Sequence, residues 1–372
     1  MKEYNVASLF AGVGGICLGF QNAKIDNKSY KLIFANEMDE YACETYRTNF
    51  NHSLIEGDIN KLLKPELCET EKEKEYYESK RHILFDNKID ILNGGFPCQA
   101  FSIAGEQKGF EDERGNLFLS IVELINQMDK YSQKPRVLFL ENVKNLLAHD
   151  KGRTYKVIKA KLEESGYTIK EKVLNTMDYT DLPQNRERIY IVGFLNKEDA
   201  EKFTLYDEVE KHKLEKTAKD RENDVKKILD TNINFENNKN YYYTKEKYPH
   251  YFKIESDGIN LEREITEKYQ FYQCRRGMYV RKNKSNVCPT LTANMGTGGH
   301  NVPLILTEDG IRKLTPAETF KLQGFPVGDG YKLPVEYKGK KYGDAHLYKQ
   351  AGNAVSVDMI TMIATDILNI LD

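Results

Sequence analysis

Short apolar runs alternate with segments of helical spacing as far as Val192, and this rhythm constrains the fold more than any other feature of the chain. Val6-Ala7-Ser8-Leu9-Phe10 reads as a buried strand; a glycine turn and a helix from Ile16 to Asn22 follow. The pattern recurs in the strands Lys31–Ala35, Ile89–Leu92, Arg136–Leu140 and Arg188–Val192, with helices over Glu40–Asn49, Leu117–Met128 and Tyr155–Glu164 between them. Strands too apolar to face water, each followed by a helix, predict an α/β fold with a doubly wound, mostly parallel sheet. Two stretches break the rhythm. Lys61–Asp86 is dense in Glu and Lys and reads as a solvated helix or loop set between strands. From about Asn196 to Lys268 the chain is rich in Lys, Glu, Asn and Tyr without clear alternation, which places a domain change near Leu195. An amphipathic helix returns at Val355–Leu371.

In such a sheet the strand ends open on one crevice, and three features fall there. Phe10-Ala11-Gly12-Val13-Gly14-Gly15 joins the first strand to the first helix, so backbone N–H groups can meet a ligand at a helix start. Glu37 closes the second strand and Asp58 follows the third; an acid at the end of strand two is placed for ribose hydroxyls. These residues alone fit a dinucleotide enzyme as well, although the Gly-x-Gly-x-x-Gly spacing is not met, and the two acids also suit helix caps.

The next strand runs into Asn93-Gly94-Gly95-Phe96-Pro97-Cys98-Gln99. Pro97 stiffens the backbone before Cys98, and a thiol at the mouth of the crevice is a candidate nucleophile rather than a core filler. Glu141-Asn142-Val143 ends the strand after it, and a carboxyl desolvated there can serve as an acid. Arg186 and Arg188, in Gln184-Asn185-Arg186-Glu187-Arg188, are suited to a phosphate or a carbonyl oxygen.

The six cysteines form no Cys-x-x-Cys pair and have no histidine at ligand spacing, which predicts free thiols, a reducing cytoplasm and no metal site. No run approaches the roughly 20 apolar residues of a membrane helix, and the start of the chain has no apolar signal core. The net charge of −2 decides nothing about a nucleic-acid partner, but its distribution does. Lys268–Thr307 contains no Asp or Glu, against about six expected from the chain average, and carries Lys268, Arg275, Arg276, Arg281, Lys282 and Lys284. Such a stretch suits phosphate; standing alone it also suits a solvated hairpin.

Taken in order, these motifs resemble the DNA cytosine-5 methyltransferases of bacterial restriction–modification systems, and the resemblance runs end to end. Phe10–Gly15 is similar to that family's S-adenosylmethionine loop, Phe96-Pro97-Cys98-Gln99 to its catalytic motif, Glu141-Asn142-Val143 to its base-binding motif and Gln184–Tyr190 to its arginine motif. Arg312–Pro316 through Gln323–Pro326 resembles the segment that organises the recognition domain, and Gln350–Val355 the closing motif. The resemblance implies a catalytic, cofactor-binding domain over 1–194 plus 345–372 and a smaller target-recognition domain over 195–344. It implies that Cys98 attacks C6 of a flipped-out cytosine, that Glu141 binds the N3 edge and donates a proton, and that Arg188, supported by Arg186, holds the O2 edge. For the cofactor it implies the loop glycines Gly12, Gly14 and Gly15, Phe10 stacking on adenine, Glu37 on ribose, Asp58 with Ile59 at the adenine edge, and Asn353 with Val355 completing the pocket. Met38 stands where many members have tryptophan; a thioether can still cover an adenine face. Thr290, in Cys288-Pro289-Thr290-Leu291-Thr292, is expected near the phosphates of the flipped base, and Arg275, Arg276 and Arg281 at guanine edges.

The implied partners are double-stranded DNA and a restriction endonuclease acting separately, with the chain a monomer off the membrane. A tRNA-directed relative would carry Pro-Pro-Cys and Cys-Phe-Thr where this chain has Phe-Pro-Cys and Cys-Pro-Thr. A non-catalytic DNA-binding regulator would not need Cys98, Glu141, Arg186 and Arg188 together. The Asp/Asn/Ser-Pro-Pro-aromatic motif of amino-methylating enzymes is absent.

Overall fold

The computed structural model describes residues 2–96, 116–253, 258–275, 277–297 and 301–372. Pro97, Cys98, Gln99, Arg276, Gly298 and Gly299 therefore lie outside the described residues. The chain divides into two units: 1–174 with 187–212 and 359–372, and 175–186 with 213–358. Relative to the bounds expected from sequence, 175–186 and 345–358 group with the second unit and 195–212 with the first. The latter segment is held by its rings and charges: Phe203 packs on Phe194 at 5.3 Å and on Tyr206 at 4.9 Å, and the Arg136 guanidinium grips Asp199 at 2.8 and 3.0 Å.

The first unit is built on a sheet of β1 (Lys2–Leu9), β2 (Lys24–Ile25), β3 (Lys28–Glu37), β4 (Ser53–Glu56), β5 (Ile91–Gly94), β6 (Val137–Val143), β7 (Thr168–Asn175) and β9 (Glu187–Phe194), in the order β2-β3-β1-β5-β6-β9-β7. β4 also pairs with β3, on its carboxyl half. The pairs β3–β1, β1–β5, β5–β6 and β3–β4 are parallel, and β9 runs antiparallel to β6. β1 lies between β3 and β5, so successive crossovers leave it in opposite directions and a crevice opens beyond its carboxyl end. The register aligns that rim: Leu9 stands beside Gly94, and Gly94 beside Leu140.

Helix spacing explains the layer over the sheet. In α5 (Asn116–Lys130), Phe118, Ile121, Ile125 and Met128 recur every three or four residues and all are at most 1 % exposed. The charged insertion is more ordered than its composition suggests. Within it α4 (Glu71–Phe85) buries Tyr77 and Leu84, and the Tyr77 hydroxyl accepts from the Asp58 N–H at 2.8 Å. The helix Val357–Ile370 buries Met359, Ile360, Ile363, Ala364, Ile367 and Leu368. It is tied to β3 by Tyr30 Oη donating to the Ala364 carbonyl at 2.8 Å and by Lys28 Nζ donating to that of Leu371. The run Asp344–Ile370 has the length and apolarity of a membrane span, but 67 % of that window is buried inside the protein and Ala354 interrupts it in extended conformation.

The second unit contains β8 (Gln184–Asn185) paired parallel with β12 (Cys288–Pro289), and a sheet of β10 (Tyr272–Arg275), β11 (Tyr279–Lys282), β13 (Leu304–Thr307) and β14 (Gly310–Lys313) in the order β11-β10-β13-β14. Tyr243, Tyr251, Leu261, Tyr272, Leu304 and their neighbours form its core. One fully buried ion pair braces it. Arg312 at the end of β14 makes two 2.7 Å bonds to Glu318, which also accepts from the N–H groups of Thr315 at 2.8 Å and Asp230 at 3.0 Å.

Candidate active site

The glycine turn is held from below by Glu37. One carboxylate oxygen accepts the Gly12 N–H at 2.7 Å, and the other accepts those of Met38 at 2.9 Å and Asp39 at 2.8 Å. Glu37 thus fixes the loop to the end of β3 as well as standing where a ribose acid is expected. Burial pushes its carboxyl up, and the three N–H donors pull it back. Phe10 adopts φ 54, a left-handed conformation costing about 1–3 kcal/mol in a non-glycine residue, which suits a position fixed for contact. At Gly14, φ is 85 and a Cβ would run into the Phe50 ring, so only glycine fits. Met38 is 65 % exposed at the rim, and Ile59 is buried. Asp58 caps the short helix Ile59–Leu63 by accepting the Asn60 N–H at 2.9 Å.

Beneath the loop runs a hydrogen-bond chain with no local signature in the sequence. His52 Nε2 meets Tyr46 Oη at 2.6 Å; Tyr46 donates to Cys17 Sγ at 3.0 Å, Cys17 to Ser8 Oγ at 3.0 Å, and Ser8 to Asn93 Oδ1 at 2.6 Å. It links the end of α2 (Glu40–Asn49) to the strand that leads into Pro97-Cys98. Burial pushes the Cys17 thiol up and drags His52 down to about 4, so both are neutral near pH 7.

At the next strand end Glu141 is 7 % exposed, with Oε1 3.0 Å from Arg188 Nε. The ion pair is close but misdirected: Oε1 accepts no hydrogen bond among the described residues. A buried carboxylate oxygen left this way is costly unless a ligand completes it. Gly95 faces it; a Cβ at that position would lie 3.6 Å from Oε2. Asn142 Nδ2 pins the backbone by donating to the Phe96 carbonyl at 2.9 Å. The strand turn before Cys98 and the acid are thereby held together; Cys98 itself is outside the described residues.

Arg186 belongs to the second unit. It is 2 % exposed, and its guanidinium donates to the carbonyls of Leu291, at 3.2 Å, and Ala354. Those bonds make it a positioning residue for the segments around 291 and 354. Gln184 donates to the Leu322 carbonyl at 2.8 Å, and Gln323 to that of Ala351 at 2.7 Å. Gly352 sits so close to the Thr292–Ala293 backbone that a Cβ would overlap it. Asn353 is exposed just after that contact, and Val355 is buried.

The basic stretch folds into the β10–β11 hairpin and the segment leading to β13. Lys268 meets Glu308 at 3.4 Å and Lys282 meets Glu267 at 2.5 Å, so acids flanking the stretch neutralise two of its cations. Arg275, Arg281 and Lys284 line a concavity of about 1180 Å³ whose lining, among the described residues, includes no acid. Thr290 is at its rim, donating to the Asn185 carbonyl at 2.6 Å. Sequence reasoning missed Gln273 and Asn283, which share this concavity.

Comparison with known proteins places these features in context. Residues 4–369 match the family model described as C-5 cytosine-specific DNA methylase. The chain is 45 % identical over 363 residues to the type II methyltransferase M.Bsp6I of Bacillus sp. (strain RFL6), covering 97 % of this chain and 98 % of that protein. It is 35 % identical over 374 residues to M.HpaII of Haemophilus parainfluenzae, covering 99 % and 90 %. Among solved structures, the S. pombe Dnmt2 methyltransferase superposes with a TM-score of 0.62 at 16 % identity, covering 98 % of each chain. A putative DNA modification methyltransferase from an E. coli prophage gives 0.62 at 20 %, covering 99 % of each.

Proposed function

The chain belongs to the C-5 cytosine-specific DNA methylases, and on that footing we propose that it methylates a flipped-out cytosine through a covalent bond from Cys98 to C6, as the modification half of a type II restriction–modification system. The observation that carries this reading is Glu141, a buried carboxylate paired with Arg188 yet short of a hydrogen-bond donor. A cytosine offers what is missing, an N4 amine and a protonatable N3, and a base in a duplex reaches such a pocket only by leaving the stack.

The chemistry follows from the residue types. The Cys98 thiolate adds to C6, and Glu141, entering the step as the carboxylic acid, delivers its proton to N3 and becomes the carboxylate, so the electron-poor ring becomes an enamine nucleophilic at C5. Arg188 balances the Glu141 charge and is placed for the O2 edge. After C5 is methylated, a base takes the C5 proton, the C5–C6 double bond re-forms as the thiolate is expelled, and N3 returns its proton to the Glu141 carboxylate. S-Adenosylmethionine supplies the electrophilic methyl group when bound. The first unit's residues fit it: the Gly12 Cβ position has nothing within 4 Å, Met38 is exposed, and Glu37 Oε2 accepts only the Gly12 bond among the described residues, leaving capacity for a ribose hydroxyl. Phe10, Gly14, Gly15, Asp58 and Ile59 complete that cradle. The second unit is assigned target recognition, and the protein is assigned to the cytoplasm as a monomer whose cognate nuclease acts separately.

Bisulfite sequencing of DNA from cells expressing the wild type should show 5-methylcytosine in one short motif. Cys98→Ser should show none while still binding S-adenosylmethionine, because a hydroxyl is not ionised near pH 7. Methyl transfer by the serine variant at the wild-type rate would overturn the nucleophile.

A further inference from the structure

β10 alternates between two faces. Tyr272 and Cys274 of β10 and Val280 of β11 belong to the core cluster. Gln273, Arg275, Tyr279 and Arg281 share the other face of the register and line the concavity. Gln273 stands directly across from Arg281 in the register. Asn283, two residues beyond Arg281, continues that face, its N–H bonding the Phe271 carbonyl at 3.0 Å.

Two carboxamides on this face are unsatisfied. Gln273 Oε1 is shielded from water and accepts no hydrogen bond among the described residues. Asn283 is 6 % exposed, and its Nδ2 likewise donates to nothing among them. Native proteins rarely leave such groups unpaired without a role. An unpartnered acceptor and an unpartnered donor beside guanidinium groups match base edges, which present both kinds in the major groove. Phosphate would satisfy the donors and leave Gln273 Oε1 unpaired.

We infer that Gln273 and Arg281 together read one G·C pair of the recognised sequence, Arg281 donating to guanine O6 and N7 and Gln273 Oε1 accepting from the N4 amine of the paired cytosine. This rests on the reading of the protein as a DNA methylase. Arginine's fork needs two adjacent acceptors, which only guanine provides in that groove. A residue directly across an antiparallel pair has its Cβ about 4.5–5.5 Å away, which brings its side chain to the partner base of the same pair. That base is cytosine, and its exposed group is a donor.

The test uses the full chain and a duplex library randomised around one fixed cytosine, with 5-methylcytosine read by bisulfite sequencing. Wild type should demand G·C at one position. Arg281→Ala and Gln273→Ala should each relax that same position by about 5- to 140-fold, and Gln273→Glu, which keeps an acceptor, should retain it. In wild type, 7-deazaguanine at that position should lower methylation by a similar factor. This substrate measurement does not depend on how any variant folds. The inference is overturned if the two alanine variants relax different positions, if neither relaxes any, or if Gln273 proves to select adenine. A wild type that leaves no 5-methylcytosine in any duplex would instead overturn the reading of the reaction.

Discussion

Breaking the Arg312–Glu318 pair should unfold the second unit far more readily than a surface substitution would. Both side chains are at most 1 % exposed, and the carboxylate makes four bonds of 2.7–3.0 Å: two to the guanidinium and one each to the N–H groups of Thr315 and Asp230. Glu318→Gln keeps the shape but removes the charge and turns one acceptor into a donor, which then faces donors. Stranding one partner of a buried pair costs about 3–5 kcal/mol. With a urea dependence of about 2 kcal/mol per molar, the midpoint should fall by roughly 1.5–2.5 M. The chain has no tryptophan, so far-UV circular dichroism is the practical signal. The combined Arg312→Met, Glu318→Leu variant should recover part of the loss, because an apolar pair leaves no stranded charge although the N–H groups of Thr315 and Asp230 lose their acceptor. A midpoint shift below about 0.5 M in Glu318→Gln, or a double variant as weak as the single one, would refute this account.

Glu141→Gln should lower single-turnover methylation by about 10²–10⁴-fold while DNA binding changes much less, because the amide holds the base edge but cannot give up a proton. Gly14→Ala should weaken S-adenosylmethionine binding, measured by calorimetry, since the new methyl group meets the Phe50 ring at a backbone of positive φ. For His52 the folded pKa, about 4, lies below the ordinary 6.5. The unfolded chain therefore takes up the proton first, and the stability due to neutral His52 is present above pH 6.5 and lost as pH falls towards 4. Urea midpoints of wild type should decline across that window, and His52→Phe should show a shallower decline.

The parallel sheet was legible because its strands are continuous apolar runs, and the carboxyl-end acids because they directly follow those runs. Glu37 shows the limit of that reading. Its position was plain, but the three backbone donors that tie it to the glycine loop come from chain geometry that no residue pattern encodes. The resemblance implies that Arg186 supports the base pocket; its partners Leu291 and Ala354, 105 and 168 residues away, have no signature in the local sequence. Gln273 and Asn283 were invisible for a different reason. Isolated amides on short strands are unremarkable until the pairing register shows which face they share. Cys98 is singled out by Pro97 and its strand-end position in the sequence, and it lies outside the described residues.

The tie between β3 and the last helix sets a timetable for biosynthesis. Lys28 and Tyr30 bond to carbonyls 343 and 334 residues later in the chain. At a synthesis rate of about 5–20 residues per second, roughly 17–70 s separate translation of β3 from arrival of the helix tied to it. During that interval the nascent first unit lacks part of its own core, and no amino-terminal fragment can complete the sheet's cover. Methylation would thus begin only once the helix through Ile370 and Leu371 has emerged to cover β3.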